Sequence, residues 1–562
     1  MLQRNFIFKP KSFRTNACLF AFYFLFFLFG HSVSAQLYSR QDSLRGSLGK
    51  GRIQWNVMHY DITLKPDINN QNIEGLTTIT YADSGTHLLQ IDLQSPMQID
   101  SIVLYSQQLA YTREGNVYWV KVNSSSSKVF PGIKKMHIYF HGRPKTAKHA
   151  PWDGGFVWAK DKKGNPWISA ACQGLGASSW FPCKDTQSDE PDNGAVLKII
   201  VPDSLQAIGN GRLSSVKKLD NHLDKYTWEV TSPINNYDII PYIGKYAHFS
   251  EQYKGLKGNL DMDYWVLTYN LEKAKTHFTD ANKLLTALEY WFGPYPFYTD
   301  GYKLVEAPYL GMEHQSAIAY GNGYMKGYMG SDRSGTGHGM NWDFIIVHES
   351  GHEWFGNNIT ANDIADMWIH ESFTNYSEVL FTEYFYGKKA ADEYVIGLRK
   401  NISNDIPIIG DYGVNKEGSG DMYDKGANMI HTIRQIIKND KKFRTILRGL
   451  SKEFYHQTVS TSQIEQYISN KSGIDFSPVF NQYLRTTAIP NFSYEIKSGK
   501  LYYKWTNVDA NFNMPVKISI GNKKEKWLYP TINIQSIPLK FSENGIKVNS
   551  SFYVTTTNDI TQ

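Results

Sequence analysis

Residues 348–352 read His-Glu-Ser-Gly-His, flanked by Phe344, Ile345, Ile346 and Val347 on one side and by Trp354 and Phe355 on the other. Histidines four positions apart stand one turn above each other on one face of a helix. Both imidazoles therefore reach one point, with Glu349 beside them. The apolar flanks predict that this helix is buried. Two histidines and a glutamate in such a place need compensating charge, and a metal ion supplies it. The plainer alternative is an amphipathic helix with two incidental histidines. Glu371 decides between them. It follows His352 after 18 intervening residues, in Trp368-Ile369-His370-Glu371-Ser372-Phe373, on a second helix-like segment that ends at Gly387. Two histidines and one carboxylate leave an open position on a tetrahedral zinc, the arrangement of a catalytic site rather than a structural one. One Zn2+ per chain is expected, held by His348, His352 and Glu371. Glu378, seven residues further on, shares the face of Glu371. It is either a solvated side chain or the acceptor for the far nitrogen of a ligating histidine.

The remainder of the 562-residue chain divides by pattern. From about Ile53 to Phe249 short alternating runs, such as Tyr60 to Leu64 and Leu76 to Tyr81, are separated by turn clusters, which predicts an antiparallel β domain. Leu271 to Phe292 has apolar residues at helical spacing and is stopped by Gly293-Pro294. A strand over Tyr302 to Ala307 and a glycine-rich stretch, Gly321 to Met340, follow; the composition of the latter suits a mobile loop. Helical segments occupy Trp342 to about Tyr483, and Phe492 to Val554 is strand-like again. The expected architecture is a multidomain α+β chain: 1–35 an export signal, 36–260 an N-terminal β domain, 261–488 a catalytic zinc domain and 489–562 a small C-terminal β domain.

The export signal rests on a basic start (Arg4, Lys9, Lys11, Arg14), the 13-residue apolar run Ala17 to Phe29, and Val33-Ser34-Ala35, a small-x-small cleavage site that leaves Gln36 first. The run is short for a membrane-spanning helix, so a periplasmic or extracellular protein without a stable transmembrane segment is expected. The formal charge of +6 falls to +2 once those four basic residues are removed, which gives no reason to expect nucleic acid as a partner. Of three cysteines, Cys172 and Cys183 follow the cleavage site, and their redox state is open.

The motif His348-Glu349-x-x-His352, 18 residues, Glu371 resembles the gluzincin signature of the aminopeptidase N type. The resemblance extends over most of the chain after the export signal, including Tyr60 to Leu64, Gly75-Leu76 and Trp291-Phe292-Gly293-Pro294-Tyr295-Pro296. It implies a thermolysin-like α/β fold for the catalytic domain. Leu310-Gly311-Met312-Glu313-His314 is similar to that family's G-x-M-E-N motif, with Leu310 and His314 as departures. The resemblance assigns Glu313 to the substrate's free amino group and Gly311 to backbone hydrogen bonds with the peptide. It also makes Tyr423, in Tyr423-Asp424-Lys425-Gly426-Ala427, the catalytic tyrosine, and Gln173 a glutamine at the amine end. The sequence ends at residue 562, so the large helical C-terminal domain of many relatives is expected to be absent and the cleft more open.

The function expected from these residues is removal of the N-terminal residue from peptides with a free N-terminus, by zinc-activated water with Glu349 as general base. A catalytically weak peptide-binding homologue and a thermolysin-like endopeptidase are the alternatives. Glu349 and Tyr423 speak against the first and Glu313 against the second. Side-chain preference and oligomeric state are not legible in the sequence.

Overall fold

In the strand Trp55–Asp67 (β1) buried residues fall at Val57 and then at Tyr60, Ile62 and Leu64. The switch from odd to even positions coincides with a register shift against Asn72–Asp83 (β2), between Val57 and His59. An extra residue there turns the alternation over, so one face of the strand stays on the core. The computed structural model describes residues 38–85, 87–122, 132–521, 524–539 and 545–560. The expected export signal, 1–35, and Gln36 lie outside the described residues.

Six further strands complete the first sheet: Gln98–Leu104 (β3), Gln107–Gln108 (β4), Gly132–Gly142 (β5), Ala195–Pro202 (β6), Arg212–Leu219 (β7) and Leu223–Val230 (β8). Their order is β7-β8-β6-β1-β2-β5-β3-β4. All neighbours are antiparallel except β1 and β6, which run parallel with Tyr60 opposite Ala195. The expected antiparallel domain thus holds one parallel pair. A parallel neighbour requires a long crossover, and residues 143–194 provide it. That crossover contains the strand Pro166–Ala171, in a separate four-stranded sheet, and leads directly into Cys172 and Gln173. Cys172 and Cys183 are buried free thiols.

The second domain is built on a five-stranded sheet of Tyr246–Gly255 (β9), Gly258–Leu267 (β10), Tyr302–Glu306 (β11), Gly311–Met312 (β12) and Ile318–Tyr320 (β13), in the order β9-β10-β11-β13-β12. A boundary at 260/261 would cut β10. The β9–β10 hairpin pairs with β11, so it belongs to this sheet. Both faces of the sheet are covered. Tyr302, Leu304, Ile318 and Tyr320 join the core under the helices, while Val305, Ala307, Ala317 and Ala319 join the core of the N-terminal domain. A strand buried on two faces reads as a continuous run, as β11 does.

The helical stretch expected over Leu271 to Phe292 is two helices, Leu271–His277 (α1) and Thr279–Phe292 (α2). The break falls at Phe278, whose ring is buried against Tyr264, Tyr320 and Tyr324. Phe344–Gly351 (α3), Trp368–Tyr386 (α4) and Asp424–Ile437 (α5) follow, and Gly387 closes α4 as expected. The glycine-rich stretch 321–340 has a defined conformation. Asn322 Nδ2 donates to the carbonyls of Met325 and Gly327, each at 2.9 Å, and to Asp343 Oδ1 at 3.0 Å. Asp332 accepts from the backbone N–H groups of Ser334 and Gly337. Short sheets from Asn491 onward pack on the helices, with Phe492, Trp505 and Tyr553 in the same core. Residues 41–562 form one compact unit. Among the described residues no helix is long and apolar enough to cross a membrane.

Candidate metal centre and substrate cleft

Helix α3 starts at a buried cap. Asp343 Oδ1 accepts from the N–H groups of Ile345 and Ile346, at 2.9 and 3.3 Å. Its Oδ2 accepts from Tyr320 OH at 2.8 Å and lies 2.7 Å from His277 Nε2. A capping side chain stabilises a helix by about 1 kcal/mol, and here it also ties the start of α3 to the sheet. One helical turn later His348 faces α4. His352 ends α3, where the backbone departs from helical geometry at Phe355 and Gly356.

The structure places all three expected metal ligands together and buries them. His348 Nε2 lies 3.6 Å and His352 Nε2 3.4 Å from Glu371 Oε2. These separations are long for hydrogen bonds, and Glu371 Oε2 has no hydrogen-bond partner despite its burial. Two ligand atoms each about 2.0–2.1 Å from a tetrahedral zinc stand roughly 3.3 Å apart, so three converging donors at this spacing fit the ion. The far ring nitrogens are already engaged. His348 Nδ1 lies 2.7 Å from Glu378 Oε1, and Tyr394 OH donates to Glu378 Oε2 at 2.7 Å. His352 Nδ1 donates to the Phe355 carbonyl at 3.0 Å. Each bond turns Nε2, with its lone pair, toward the common point. Glu378 is fully buried, which resolves its two readings in favour of support for His348.

The electrostatics of the cluster call for positive charge. Burial opposes protonation of His348, yet the carboxylates of Glu371 and Glu378 outweigh it and raise its pKa to about 10. Glu371 moves the other way: burial favours its neutral form, but His352 and His348 hold it well below the usual carboxylate range. Burial, opposed by the two histidines and assisted by Glu313 and Glu371, pushes Glu349 up to about 7.

A cleft of about 510 Å³ opens over this cluster and is lined by Gln173, Gly311, Glu313, His348, Glu349, His352, Glu371 and Tyr423 among others. Every candidate site residue read from the sequence is therefore in one place. Glu313 is buried, with Oε1 accepting from Gln173 Nε2 at 2.5 Å and from Tyr237 OH at 3.2 Å. Asn357 Nδ2 donates to the Glu313 carbonyl at 2.7 Å. Of the two motif departures, Leu310 lines the cleft. His314 is buried away from it, with Nδ1 2.6 Å from Tyr242 OH, and burial lowers its pKa to about 3, so it is neutral. Gly311 lies on β12, the edge strand of the sheet. A Cβ there would stand 2.7 Å from Glu349 Oε1 and 2.8 Å from Ile345 Cγ2, so a side chain at this position would displace Glu349 or Ile345. The Tyr423 ring stacks on His348, centroids 6.0 Å apart at 27°. Burial, reinforced by Glu371, Glu417, Glu313 and Glu349, raises its pKa well above the usual phenol value, so the hydroxyl keeps its proton.

Tyr237, Asn357, Tyr394 and Asp343 escape the sequence reading. Asp343 alone has a local signal, an aspartate immediately before an apolar helical run. Tyr237 is one of 37 tyrosines, and nothing near it in sequence points to Glu313.

A model of the peptidase M1 N-terminal domain matches residues 56–237, and one of the peptidase family M1 domain matches residues 276–483. The chain belongs to peptidase family M1. Among family M1 relatives, probable aminopeptidase 1 of Sulfurisphaera tokodaii is 22% identical over 530 residues, 88% of this chain and 62% of its own. Aminopeptidase B of Rattus norvegicus is 23% identical over 60% of this chain and 52% of its own. Leukotriene A-4 hydrolase of Xenopus laevis is 24% identical over 54% and 49%. This chain thus spans about half to three-fifths of the length of these relatives. The crystal structure of an M1 zinc metallopeptidase from Deinococcus radiodurans superposes with a TM-score of 0.64 at 19% identity, covering 78% of this chain and 95% of that one. The family M1 fold is therefore shared at low sequence identity, and the zinc cluster of this chain stands on its own geometry.

Proposed function

We propose that this protein is a zinc-dependent aminopeptidase that removes the N-terminal residue from peptides. The observation that carries this reading is Glu313, a buried carboxylate framed by Gln173 and Tyr237 in the same cleft as the ligands His348, His352 and Glu371. A peptide's α-ammonium is the cation that such a carboxylate accommodates. An amine held there leaves the first peptide bond nearest the metal ligands. Bound at the three ligands, zinc supplies Lewis-acid polarisation of a carbonyl and a lowered pKa for water. Glu349 takes the proton of the attacking water and passes it to the leaving amine. The Tyr423 hydroxyl donates a hydrogen bond to the oxygen that gains negative charge. Gly311 on the β12 edge offers backbone hydrogen-bonding groups to the peptide.

This reading separates from endopeptidase action by one comparison. Blocking the substrate amine leaves Glu313 desolvated without its cation, at a cost of about 1–3 kcal/mol. Free-amine substrates are therefore expected to be cleaved about 5- to 150-fold faster than their N-acetylated forms, since about 1.4 kcal/mol is a factor of ten. Glu313→Ala removes most of that preference by slowing the free-amine substrate, with zinc content unchanged. Equal cleavage of both forms by the wild type, or internal cuts in a long blocked peptide, would assign the protein to endopeptidases.

We further propose export with cleavage after Ala35, supported by the basic start, the apolar run and Val33-Ser34-Ala35. N-terminal sequencing of protein from the native host is expected to begin at or near Gln36. Intact residues 1–35 on membrane-bound protein would replace this with an anchored form.

A further inference from the structure

Glu417 is a cleft-lining carboxylate to which the proposed reaction gives no role. It stands on the irregular segment 402–419, which crosses itself closely. A Cβ on Gly410 would lie 2.2 Å from the Lys416 carbonyl, and one on Gly418 would lie 2.0 Å from the Ile408 carbonyl. Ser419 N donates to the Pro407 carbonyl at 2.9 Å, and Asn415 Nδ2 donates across to the Gly174 carbonyl at 3.0 Å. The crossing and the bridge to Gly174 hold Glu417 against the residue that follows Gln173. Its Oε1 is 3.5 Å from the point where a Gly174 Cβ would be. The carboxylate therefore lines the cleft beside Gly174, next to Gln173 at the proposed amine end.

Among the described residues no cation offsets the charge of Glu417. Burial, then the like charges of Glu371 and Glu313, push its pKa up to about 7. The cleft as a whole is lined by five carboxylates, Asp153, Glu313, Glu349, Glu371 and Glu417. Its guanidinium, Arg333, is engaged with Asp424 at 2.9 Å. A divalent ion and one α-ammonium leave this lining anionic. The neighbouring wall is apolar: Leu175 and Trp152 line the same cleft, and Trp152 is 70% exposed.

We propose that Glu417, Trp152 and Leu175 form a subsite for the cationic side chain of the substrate's N-terminal residue, so that lysine and arginine are preferred there. The proposal rests on the aminopeptidase reading. The aliphatic stem of such a side chain lies along Leu175, its cation meets the indole face of Trp152, and its head pairs with a partly desolvated carboxylate. The α-ammonium is already provided for by Glu313 with Gln173 and Tyr237, whereas Glu417 enters from segment 402–419, a different wall.

The test uses zinc-loaded protein and four aminoacyl 4-nitroanilides that vary charge at constant shape: arginine against citrulline, lysine against norleucine. Wild type is expected to show kcat/KM at least about ten-fold higher for the charged member of each pair. Glu417→Gln brings both ratios close to one, and Glu417→Asp retains part of the preference. Ratios near one in the wild type overturn the proposal. So does a Glu417→Gln variant that slows all four substrates equally, because Glu417 would then serve the α-ammonium. If none of the four is cleaved, the aminopeptidase reading has failed. Calorimetric binding of the four amino acid amides then reads the same ratios without turnover, and equal affinities overturn the subsite as well.

Discussion

Glu349→Gln is expected to lower kcat by about 10²–10⁴-fold, the usual contribution of a positioned general base, while zinc stays bound. The proposed ligands are His348, His352 and Glu371, and Glu349 falls instead in a second cluster with Glu313 and His352, so an amide at position 349 is expected to leave the proposed ligand set intact. Glutamine also keeps the shape that fits against Gly311, where Glu349 Oε1 and Ile345 Cγ2 bound the site. What disappears is proton acceptance. Burial, with Glu313 and Glu371 acting in the same direction and the two histidines against, lifts the Glu349 carboxyl to about 7. Metal analysis of the purified variant alongside kcat on a free-amine substrate checks the expectation. Turnover within about three-fold of wild type would falsify the base assignment. Lost activity together with lost zinc would show that Glu349 acts on the metal instead.

Tyr423→Phe is expected to reduce kcat by about 10²–10³-fold, the effect of deleting one oxyanion donor, with KM and zinc content little changed. The ring itself stacks on His348 at a centroid distance of 6.0 Å, and phenylalanine preserves that contact. The substitution therefore isolates the hydroxyl. Burial and the surrounding carboxylates keep the phenol protonated, which leaves it able to donate in the pH range in which the proposed base Glu349 titrates. An interaction that arises only as charge develops on the substrate oxygen lowers kcat and kcat/KM together. A variant in which KM alone rises would make Tyr423 a binding residue, and unchanged kinetics would remove it from the reaction.

Short-range periodicity explains why so much of the centre is legible without coordinates. The spacing of His348 and His352 is a property of the α-helix, and Glu371 and Glu378, seven apart, share a face for the same reason. The structure keeps both relations: His348 Nε2 and His352 Nε2 converge on Glu371 Oε2, and Glu378 reaches His348 Nδ1. The stop at Gly293 and the end of α4 at Gly387 are equally local, since each glycine takes a positive φ, 98° and 87°, where the helix ends. Even Gly311 and Glu313 were found through a continuous motif, although it departs at Leu310 and His314.

Contacts between distant segments carry no such period. Gln173 meets Glu313 across 140 residues and Tyr237 meets it across 76, because the crossover out of the N-terminal sheet and the short helical turn Asn236–Asp238 both end beside Glu313. The same crossover makes β6 parallel to β1. The break at Phe278, the hydrogen-bonded course of residues 321–340 and the burial of His314 against Tyr242 depend on which side chains the assembled core brings alongside. Glu417 is the clearest case. The sequence by itself determined the family and pointed to the residues that converge as candidate metal ligands, because helix geometry and short motifs relate neighbours along the chain. Only the tertiary structure decided what stands beside Glu313, what orients His348 and His352, and that a carboxylate without a counter-charge faces the same cleft. Those relations are set by how sheets and loops cross in space, and the burial that gives each carboxylate its chemistry exists only once they have done so.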